Sequence, residues 1–137
     1  MVMADSFNFE LVSPERLLVS GSVSEVVIPA TEGEMTVMAN HAPTMTTIKP
    51  GIVTVKFADG KKDRYVVFGG FADIIPTGCT LLAESAVHVD DFKSDDIVRR
   101  IEAARAELDH ARSDDQKYGI ETYLAELTTL QGIVVPV

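Results

Sequence analysis

The order of apolar and polar residues changes once along the chain, near residue 90. Before that point, apolar residues alternate with polar ones or form short β-branched runs, both of which are typical of strands. Six segments show these patterns most clearly: residues 7–11, 23–28, 52–57, 63–68, 80–83 and 86–89. Many short strands at this spacing predict an all-β sandwich or barrel.

Turn-forming residues separate these segments. Asp59-Gly60 predicts a hairpin turn, because glycine readily adopts the positive φ that such turns need. Residues 49–51 and 76–78 each combine proline and glycine and are predicted to be further turns. Gly69-Gly70 follows a strand and predicts a sharp bend or bulge where the chain changes sheet.

A helical period replaces the strand period after residue 90. Apolar residues at 97, 101, 104, 108 and 111 are spaced 4, 3, 4 and 3, which places them on one face of a helix. We predict this helix at about 94–112, with Ser94 as its N-cap and with Asp95 and Asp96 favourably placed in its first turn.

A second helix is predicted at about 115–131. Ser113 and Gln116 match a capping box at its start, and Ile120, Leu124 and Leu127 form its apolar side. Two helices joined by a few polar residues predict an antiparallel hairpin in residues 90–137. A linker at 90–93 is predicted to connect the β-domain to the first helix. The fold class is therefore β + α, with a β-domain in residues 1–89.

Charge and cysteine content narrow the class of protein. The net charge of −9 over 137 residues argues against nucleic-acid binding, which requires clustered cations. The single cysteine, Cys79, cannot form an intramolecular disulfide and fits a reducing compartment. The longest apolar stretch, residues 65–75, is far shorter than the roughly 20 residues of a membrane-spanning helix, so direct membrane insertion is not expected.

Candidate catalytic and metal-binding residues are few. The three histidines, His41, His88 and His110, have no second histidine or cysteine at metal-ligand spacing. Glu32 and Glu34 flank Gly33 and are interpreted as solvated carboxylates of a turn. We therefore expect no catalytic residue, no metal and no cofactor, and an enzyme acting alone is not predicted.

Several short motifs, taken in order, resemble one family. They are Glu32-Gly33-Glu34, His41-Ala42-Pro43, Lys49-Pro50-Gly51 and Gly69-Gly70-Phe71. This series, within residues 7 to about 112, is similar to the epsilon subunit of F-type ATP synthases. The resemblance implies a ten-stranded antiparallel β-sandwich followed by an antiparallel α-helical hairpin.

The resemblance also implies a non-catalytic function. Such a subunit lies in the central stalk, binds the gamma subunit and touches the c-ring, and thereby helps couple proton-driven rotation to ATP formation. A contact of the hairpin with the catalytic beta subunit is a third implied interaction. The chain would be peripheral on the cytoplasmic side of a bacterial inner membrane within the complex, and soluble when isolated.

The resemblance assigns residues to two of these contacts. By motif position, Glu32, Glu34, Asn40 and His41 would form the face toward the c-ring, where acidic residues suit basic loops. Family members that bind ATP on the hairpin carry an aliphatic-Asp-x-x-Arg-Ala pattern, which Asp96 and Arg99 match in part. Solvated helix charges are the alternative reading of these two residues, and we expect weak or absent inhibition by the hairpin.

Two other functions remain open on the residues alone. One is a free-standing β-domain that binds a small ligand and is regulated by its helical hairpin. The other, more distant, is an independent hydrolase. Affinity for a gamma subunit would favour the stalk function, whereas specific small-molecule binding without it would favour the first alternative.

Overall fold

A computed structural model describes residues 6–134. The chain divides after Asp90 into two compact units, one of strands and one of helices, which are described separately here. Within the described part of the chain, no helix is both long enough and apolar enough to cross a membrane.

Seven strands make up the described part of the first unit, residues 6–90. They are β1 (Phe7–Ser13), β2 (Arg16–Ala30), β3 (Gly33–Met38), β4 (Thr44–Phe57), β5 (Lys62–Ile75), β6 (Gly78–Ala83) and β7 (Ala86–His88). Hydrogen bonding follows the order β1-β6-β5-β4-β2-β3, and β7 pairs with β5. Because β1 also pairs with β2, the path β1-β6-β5-β4-β2 closes on itself.

Two details of the predicted sandwich are wrong. Residues 6–134 form seven strands and not ten, because β2, β4 and β5 each continue without a break for 14 or 15 residues. On β5, for example, Tyr65–Val67 pairs with β7 whereas Gly70–Ile75 pairs with β6. The sheet is also not purely antiparallel, since β1 and β6 run parallel.

Glycine permits β5 to change its pairing partner between β7 and β6. Gly69 and Gly70 have φ of 121° and 132°, a region that side chains rarely adopt. A Cβ on Gly70 would lie 2.0 Å from the carbonyl oxygen of Leu82, so no side chain fits there. The predicted bend at this pair is confirmed.

The predicted turns had different outcomes. Gly60 takes φ of 94° in the β4–β5 hairpin, where its N–H donates to the Phe57 carbonyl at 2.9 Å. Pro76-Thr77 forms the β5–β6 turn as predicted. The turn predicted at residues 49–51 is wrong, because these residues continue β4. Gly51 instead allows close approach to β2, since a Cβ there would lie 2.5 Å from the Pro29 Cβ.

The core follows from strand alternation. On β1, Phe7, Phe9 and Leu11 are buried while Asn8 and Glu10 are exposed. The same alternation on the neighbouring strands supplies the other large buried side chains of the cluster, including Val23, Val26, Ile28, Val53, Val55, Ile74 and Leu81. Successive strand residues point to opposite faces, so one inward set fills the space that the closed sheet encloses.

Two helices make up the second unit. They are α1 (Ser94–Asp109) and α2 (Asp114–Val134), which contact each other. α1 ends three residues before its predicted end, and α2 ends three residues after its own. Ile97, Ile101 and Ala104 are buried on α1, and Leu127 and Leu130 on α2. The predicted apolar stripe of α1 is thus confirmed at its first three positions, whereas Leu108 and Ala111 are only half-buried.

The helix starts differ in how they are capped. At α2, the Gln116 N–H donates to Ser113 Oγ at 3.1 Å, which confirms the Ser113 half of the predicted capping box. The return bond differs, because Gln116 Oε1 accepts from the Arg112 N–H at 2.9 Å and not from the Ser113 N–H. The N-cap predicted at Ser94 is wrong. Lys93 holds that position with an extended backbone and no side-chain bond, and Ser94 is the first helical residue.

Candidate functional site

The outer face of four neighbouring strands carries a continuous line of apolar side chains. Leu17 on β2 is opposite Val12 on β1, Val12 is opposite Leu82 on β6, and Leu82 is opposite Phe71 on β5. Leu17, Leu82 and Phe71 are 52%, 40% and 45% exposed. We refer to these four residues as the apolar row; at about 4.8 Å between strands it extends over roughly 14 Å.

Local geometry holds the apolar row outward. Ala72 and Leu81, the inward neighbours of Phe71 and Leu82, are fully buried, so Phe71 and Leu82 must face away from the core. A shallow groove runs beside the row and is lined by Ser13, Pro14, Gly70, Ala83 and Glu84. Contiguous exposed apolar side chains are uncommon on monomeric proteins and mark interaction surfaces.

A polar row borders the apolar one on the same face. Asp73 on β5 is opposite Thr80 on β6, and Thr80 is opposite Glu10 on β1. Asp73 and Glu10 are both exposed. A partner that covers the apolar row would therefore meet two carboxylates at its rim, which favours a complementary surface with an apolar centre and nearby cations.

The acidic turn between β2 and β3 is a second exposed feature. Glu32 and Glu34 are exposed on either side of Gly33, whose φ of 137° closes the turn. The turn is tied to β4, because the N–H and the hydroxyl of Thr31 both donate to the Thr47 carbonyl, at 3.0 and 2.9 Å. The two carboxylates are thus presented to solvent on a fixed backbone.

Asn40 and His41 lie in the loop at the other end of β3. Asn40 has φ of 64°, and its N–H donates to the Pro76 carbonyl at 2.9 Å. Nδ1 of His41 lies 2.7 Å from the Ala42 carbonyl oxygen, so this nitrogen carries a proton and donates. The loop is thus anchored to the β5–β6 turn through the backbone of Asn40.

The four predicted contact residues lie in two pairs, one at each end of β3. Glu32 lies with Glu34 and Asn40 lies with His41, but β3 separates the pairs by about 17 Å at roughly 3.3 Å per residue. The outward side chains of β3 between them, Thr36 and Met38, are also exposed. The four residues are thus the two ends of one exposed strip.

Asp96 and Arg99, the residues singled out on the hairpin, form an ion pair. Asp96 lies 3.7 Å from Arg99 and 3.6 Å from Arg100, at i,i+3 and i,i+4 spacing. Arg99 is 74% exposed, and such exposed helix pairs stabilise by only about 0.3–0.5 kcal/mol. A role of Asp96 and Arg99 in nucleotide binding stays a prediction.

Two features escaped sequence reasoning. The apolar row was missed because both faces of 71–75 are apolar at several positions, so alternation alone does not identify which face is the core. The contact between His88 and Asp63 joins residues 25 positions apart, and only strand register brings them together. Among residues 6–134, no cluster of three or more histidine, cysteine or acidic side chains could hold a metal ion.

Comparison with known proteins gives consistent results. Residues 6–89 match the family described as "ATP synthase, Delta/Epsilon chain, beta-sandwich domain". The chain is 72% identical over 134 residues to the ATP synthase epsilon chain of Rhizobium meliloti (strain 1021), covering 98% of this chain and 99% of that one. It is 70% identical over 132 residues to the ATP synthase epsilon chain of Rhizobium johnstonii, covering 96% and 98%.

Solved structures of similar shape come from two mitochondrial assemblies. A chain of the Euglena gracilis ATP synthase, in a structure of OSCP, F1 and c-ring, matches with a TM-score of 0.72 and 26% identity, covering 98% of this chain and 84% of that chain. A chain of the Tetrahymena thermophila ATP synthase central stalk and c-ring matches with a TM-score of 0.63 and 11% identity, covering 95% and 99%. The second likeness shows the fold alone.

Proposed function

Because the chain belongs to the delta/epsilon family of ATP synthase subunits, we propose that it is a non-catalytic central-stalk subunit of an F-type ATP synthase. In this role it rotates with the c-ring and helps couple that rotation to ATP formation in the catalytic head. The function requires neither a catalytic residue nor a cofactor of its own. It requires surfaces that bind other rotor subunits and a fold that stays rigid under torque.

The apolar row is the observation that carries this proposal, and the gamma subunit is the partner we assign to it. Leu17, Leu82 and Phe71 are each about half exposed in the isolated chain. Covering one such side chain completely contributes about 0.8–1.5 kcal/mol, half the value for full burial. The row therefore provides the apolar centre of a larger subunit contact, with Asp73 and Glu10 setting its orientation.

The exposed strip along β3 is assigned to the c-ring. Glu32 and Glu34 would meet basic residues of the ring's polar loops, and Asn40 and His41 would add contacts at the other end of the strip. Charge complementarity at an exposed rim contributes more to orientation than to affinity. The gamma contact is thus expected to supply most of the binding energy. The c-ring contact is expected mainly to fix the orientation of the chain on the ring.

The closed sheet suits a part that transmits torque. Every strand of the ring β1-β6-β5-β4-β2 is hydrogen-bonded on both sides, and a close-packed interior has low compressibility. Shearing one half of the sheet against the other would require breaking several of these ladders at once. Attachment through gamma and the c-ring would keep the chain peripheral on the energy-transducing membrane.

The hairpin is assigned a minor regulatory role. On α2, Lys117 is accompanied by Glu121 and Glu126, so few cations are offered to an acidic surface of a catalytic beta subunit. Asp96, Arg99 and Arg100 are assigned to mutual ion pairing and not to nucleotide binding. Inhibition of ATP hydrolysis by this hairpin is expected to be weak or absent.

A pair of matched substitutions tests the gamma assignment. Leu82 in the apolar row and Val98 on α1 are both 40% exposed, so replacing either with serine removes a similar amount of accessible apolar surface. We expect Leu82→Ser to weaken binding to the same organism's gamma subunit about 10-fold or more, as the loss of one apolar anchor predicts. Val98→Ser should leave the Kd unchanged within about twofold.

Calorimetry or biolayer interferometry on the full chains measures both constants. Equal weakening by the two substitutions, or none by either, would contradict the assignment of the apolar row. Absence of any affinity between the unmodified chain and gamma would contradict the proposed function itself.

A further inference from the structure

His88, the last residue of β7, is hydrogen-bonded through both ring nitrogens. Nε2 lies 2.6 Å from Oδ1 of Asp63 on β5. The backbone N–H of Asp90 donates to Nδ1 at 3.1 Å. The edge of the ring contacts Tyr65 on β5, with ring centroids 5.1 Å apart and planes at 86°. The imidazole thus ties the end of the β-unit to the residues that lead into the hairpin.

These two bonds fix the protonation state of the ring. A nitrogen that accepts an N–H bond must present a lone pair, so Nδ1 carries no proton in this arrangement. The proton is therefore on Nε2, which donates it to the Asp63 carboxylate. The bond from Asp90 to His88 spans i to i+2, the same spacing as the side-chain bond of an Asx turn.

Protonation of the ring would reverse the role of Nδ1. In the imidazolium both nitrogens are donors, so Nδ1–H and the Asp90 N–H would point at each other and their bond would be lost. An acceptor is already near, since Oδ2 of Asp90 lies 3.7 Å from Nδ1. The same residue would then exchange its backbone contact for a side-chain contact, which requires the backbone at Asp90 to move.

We propose that His88 is a proton-operated clasp on the short 3-10 helix Val89–Asp91, which connects β7 to the helical hairpin. With the ring neutral, the clasp holds the Asp90 backbone against the β-unit. With the ring protonated, it releases that backbone and lengthens the free connection before α1. This inference concerns regulation and does not rest on the proposed stalk function.

Solvent and several charged side chains reach the ring of His88. His88 is about a quarter exposed and lies in a surface depression with Thr54, Lys62, Asp63, Arg64, Val89 and Asp90. The charged or titratable groups near it include Asp63, Tyr65, Lys62 and Arg64 on β5 and Asp90 on the 3-10 helix. Histidine is the side chain whose charge ordinarily changes between about pH 5 and 8, so this is the range in which the clasp is tested.

The test is an NMR titration of the full chain from pH 5 to 8. It follows the ring protons of His88 and the hydrogen exchange of the Asp90 amide, corrected for the intrinsic pH dependence of exchange. The expected result is a fall of about 10-fold in Asp90 protection as the ring becomes protonated, with the same midpoint as the ring titration.

Two variants separate the clasp from general loosening. His88→Asn places a side-chain oxygen where it can accept the Asp90 N–H in an Asx turn, without a titrating group. Its Asp90 amide should be protected at every pH in the range. His88→Leu offers no acceptor, and its Asp90 amide should exchange rapidly throughout, while amides of β4 and β5 keep their protection.

Three outcomes would overturn the proposal. The ring of His88 could fail to titrate between pH 5 and 8, the Asp90 protection could stay flat while the ring titrates, or His88→Asn could show the same pH dependence as the unmodified chain. Each of these outcomes would mean that the protection of the Asp90 amide does not depend on the protonation of His88.

Discussion

The β-unit and the helical hairpin are stabilised in different ways. The β-unit closes its sheet through the β1–β2 pairing and fills the interior with one cluster that includes Phe9, Leu11 and Ile28, all fully buried. The hairpin has only five buried side chains over 37 helical residues, at positions 97, 101, 104, 127 and 130. Local opening is easiest where buried apolar contacts are few, so the hairpin should open at a lower free energy than the sheet.

From this difference we propose a division of labour between the units. A rotor part needs a rigid portion to grip its neighbours, and the closed sheet offers both the rigidity and the exposed apolar row. A regulatory portion must be able to move, and the hairpin combines few buried residues with an α1 start that lacks a side-chain cap. Three predictions test this division, from the largest expected effect to the smallest.

The largest effect is expected at the bend of β5. Gly70→Ala places a Cβ 2.0 Å from the Leu82 carbonyl oxygen at a φ of 132°, so the β5–β6 ladder must shift. We expect the free energy of unfolding of the β-unit to fall by about 3 kcal/mol or more. Urea denaturation followed by circular dichroism measures the change.

Gly60→Ala is the matched control for the bend. Gly60 also has positive φ, at 94°, but a Cβ there meets nothing within 4 Å. Its cost should be limited to backbone strain, about 1–2 kcal/mol. Equal effects of the two substitutions would mean that close packing at the bend does not limit the sheet.

A smaller and more local effect is expected at Leu127 on α2. Leu127→Ala removes a fully buried side chain, a change that costs roughly 2–5 kcal/mol in a well-packed core and less where the site can collapse. Because the hairpin has few buried residues, we expect the low end of that range. Hydrogen exchange should show faster exchange of α1 and α2 amides with unchanged protection in β4 and β5.

The core of the β-unit offers the comparison for Leu127. Leu81→Ala, also fully buried, should instead lower protection across the strands. If Leu127→Ala reduced β4 and β5 protection as much as Leu81→Ala does, the two units would not open independently, and the proposed division of labour would fail.

The smallest effect is a pH dependence that belongs to the β-unit alone. Burial, followed by the charge of Asp73, raises the pKa of the Cys79 thiol to about 12 from 9.0. Above about pH 9 the unfolded chain loses this proton while the folded chain retains it. The stabilisation is therefore fully present below pH 9 and declines as pH rises toward 12, by at most about 1.4 kcal/mol per pH unit.

Cys79→Ala isolates this contribution. The difference in unfolding free energy between the unmodified chain and the variant, measured by denaturation from pH 8 to 11, should be constant below pH 9 and should shift in favour of the variant above it. A difference that stays constant to pH 11 would show that the thiol is not protected by the core.

Sequence patterns predicted the elements of this fold better than their connections. Alternation in residues 7–11 and the period of Ile97, Ile101 and Ala104 each follow from local geometry, so the strand and the helix were found. The strand count was wrong because continuity through the bends at Gly51 and Gly70 depends on neighbouring strands and not on the residues themselves. The parallel β1–β6 pairing joins residues about 70 positions apart and has no local signal.

The candidate site was predictable to a lesser degree. The acidic turn at Glu32 and Glu34 was found because turn chemistry and charge are both local. Its separation from Asn40 and His41 by the length of β3 follows from register, which the motifs do not encode. The apolar row needed the register of four strands before Leu17, Val12, Leu82 and Phe71 could be seen as neighbours.

The most direct test of the central claim is the affinity of this chain for its own gamma subunit, with and without residues 91–137. Circular dichroism and thermal unfolding of the truncated chain first establish that the β-unit is folded. We expect the truncated chain to bind gamma with a Kd within about threefold of that of the full chain, because the apolar row lies on the β-unit. Loss of binding by a folded β-unit would make the hairpin the main anchor and would contradict the account.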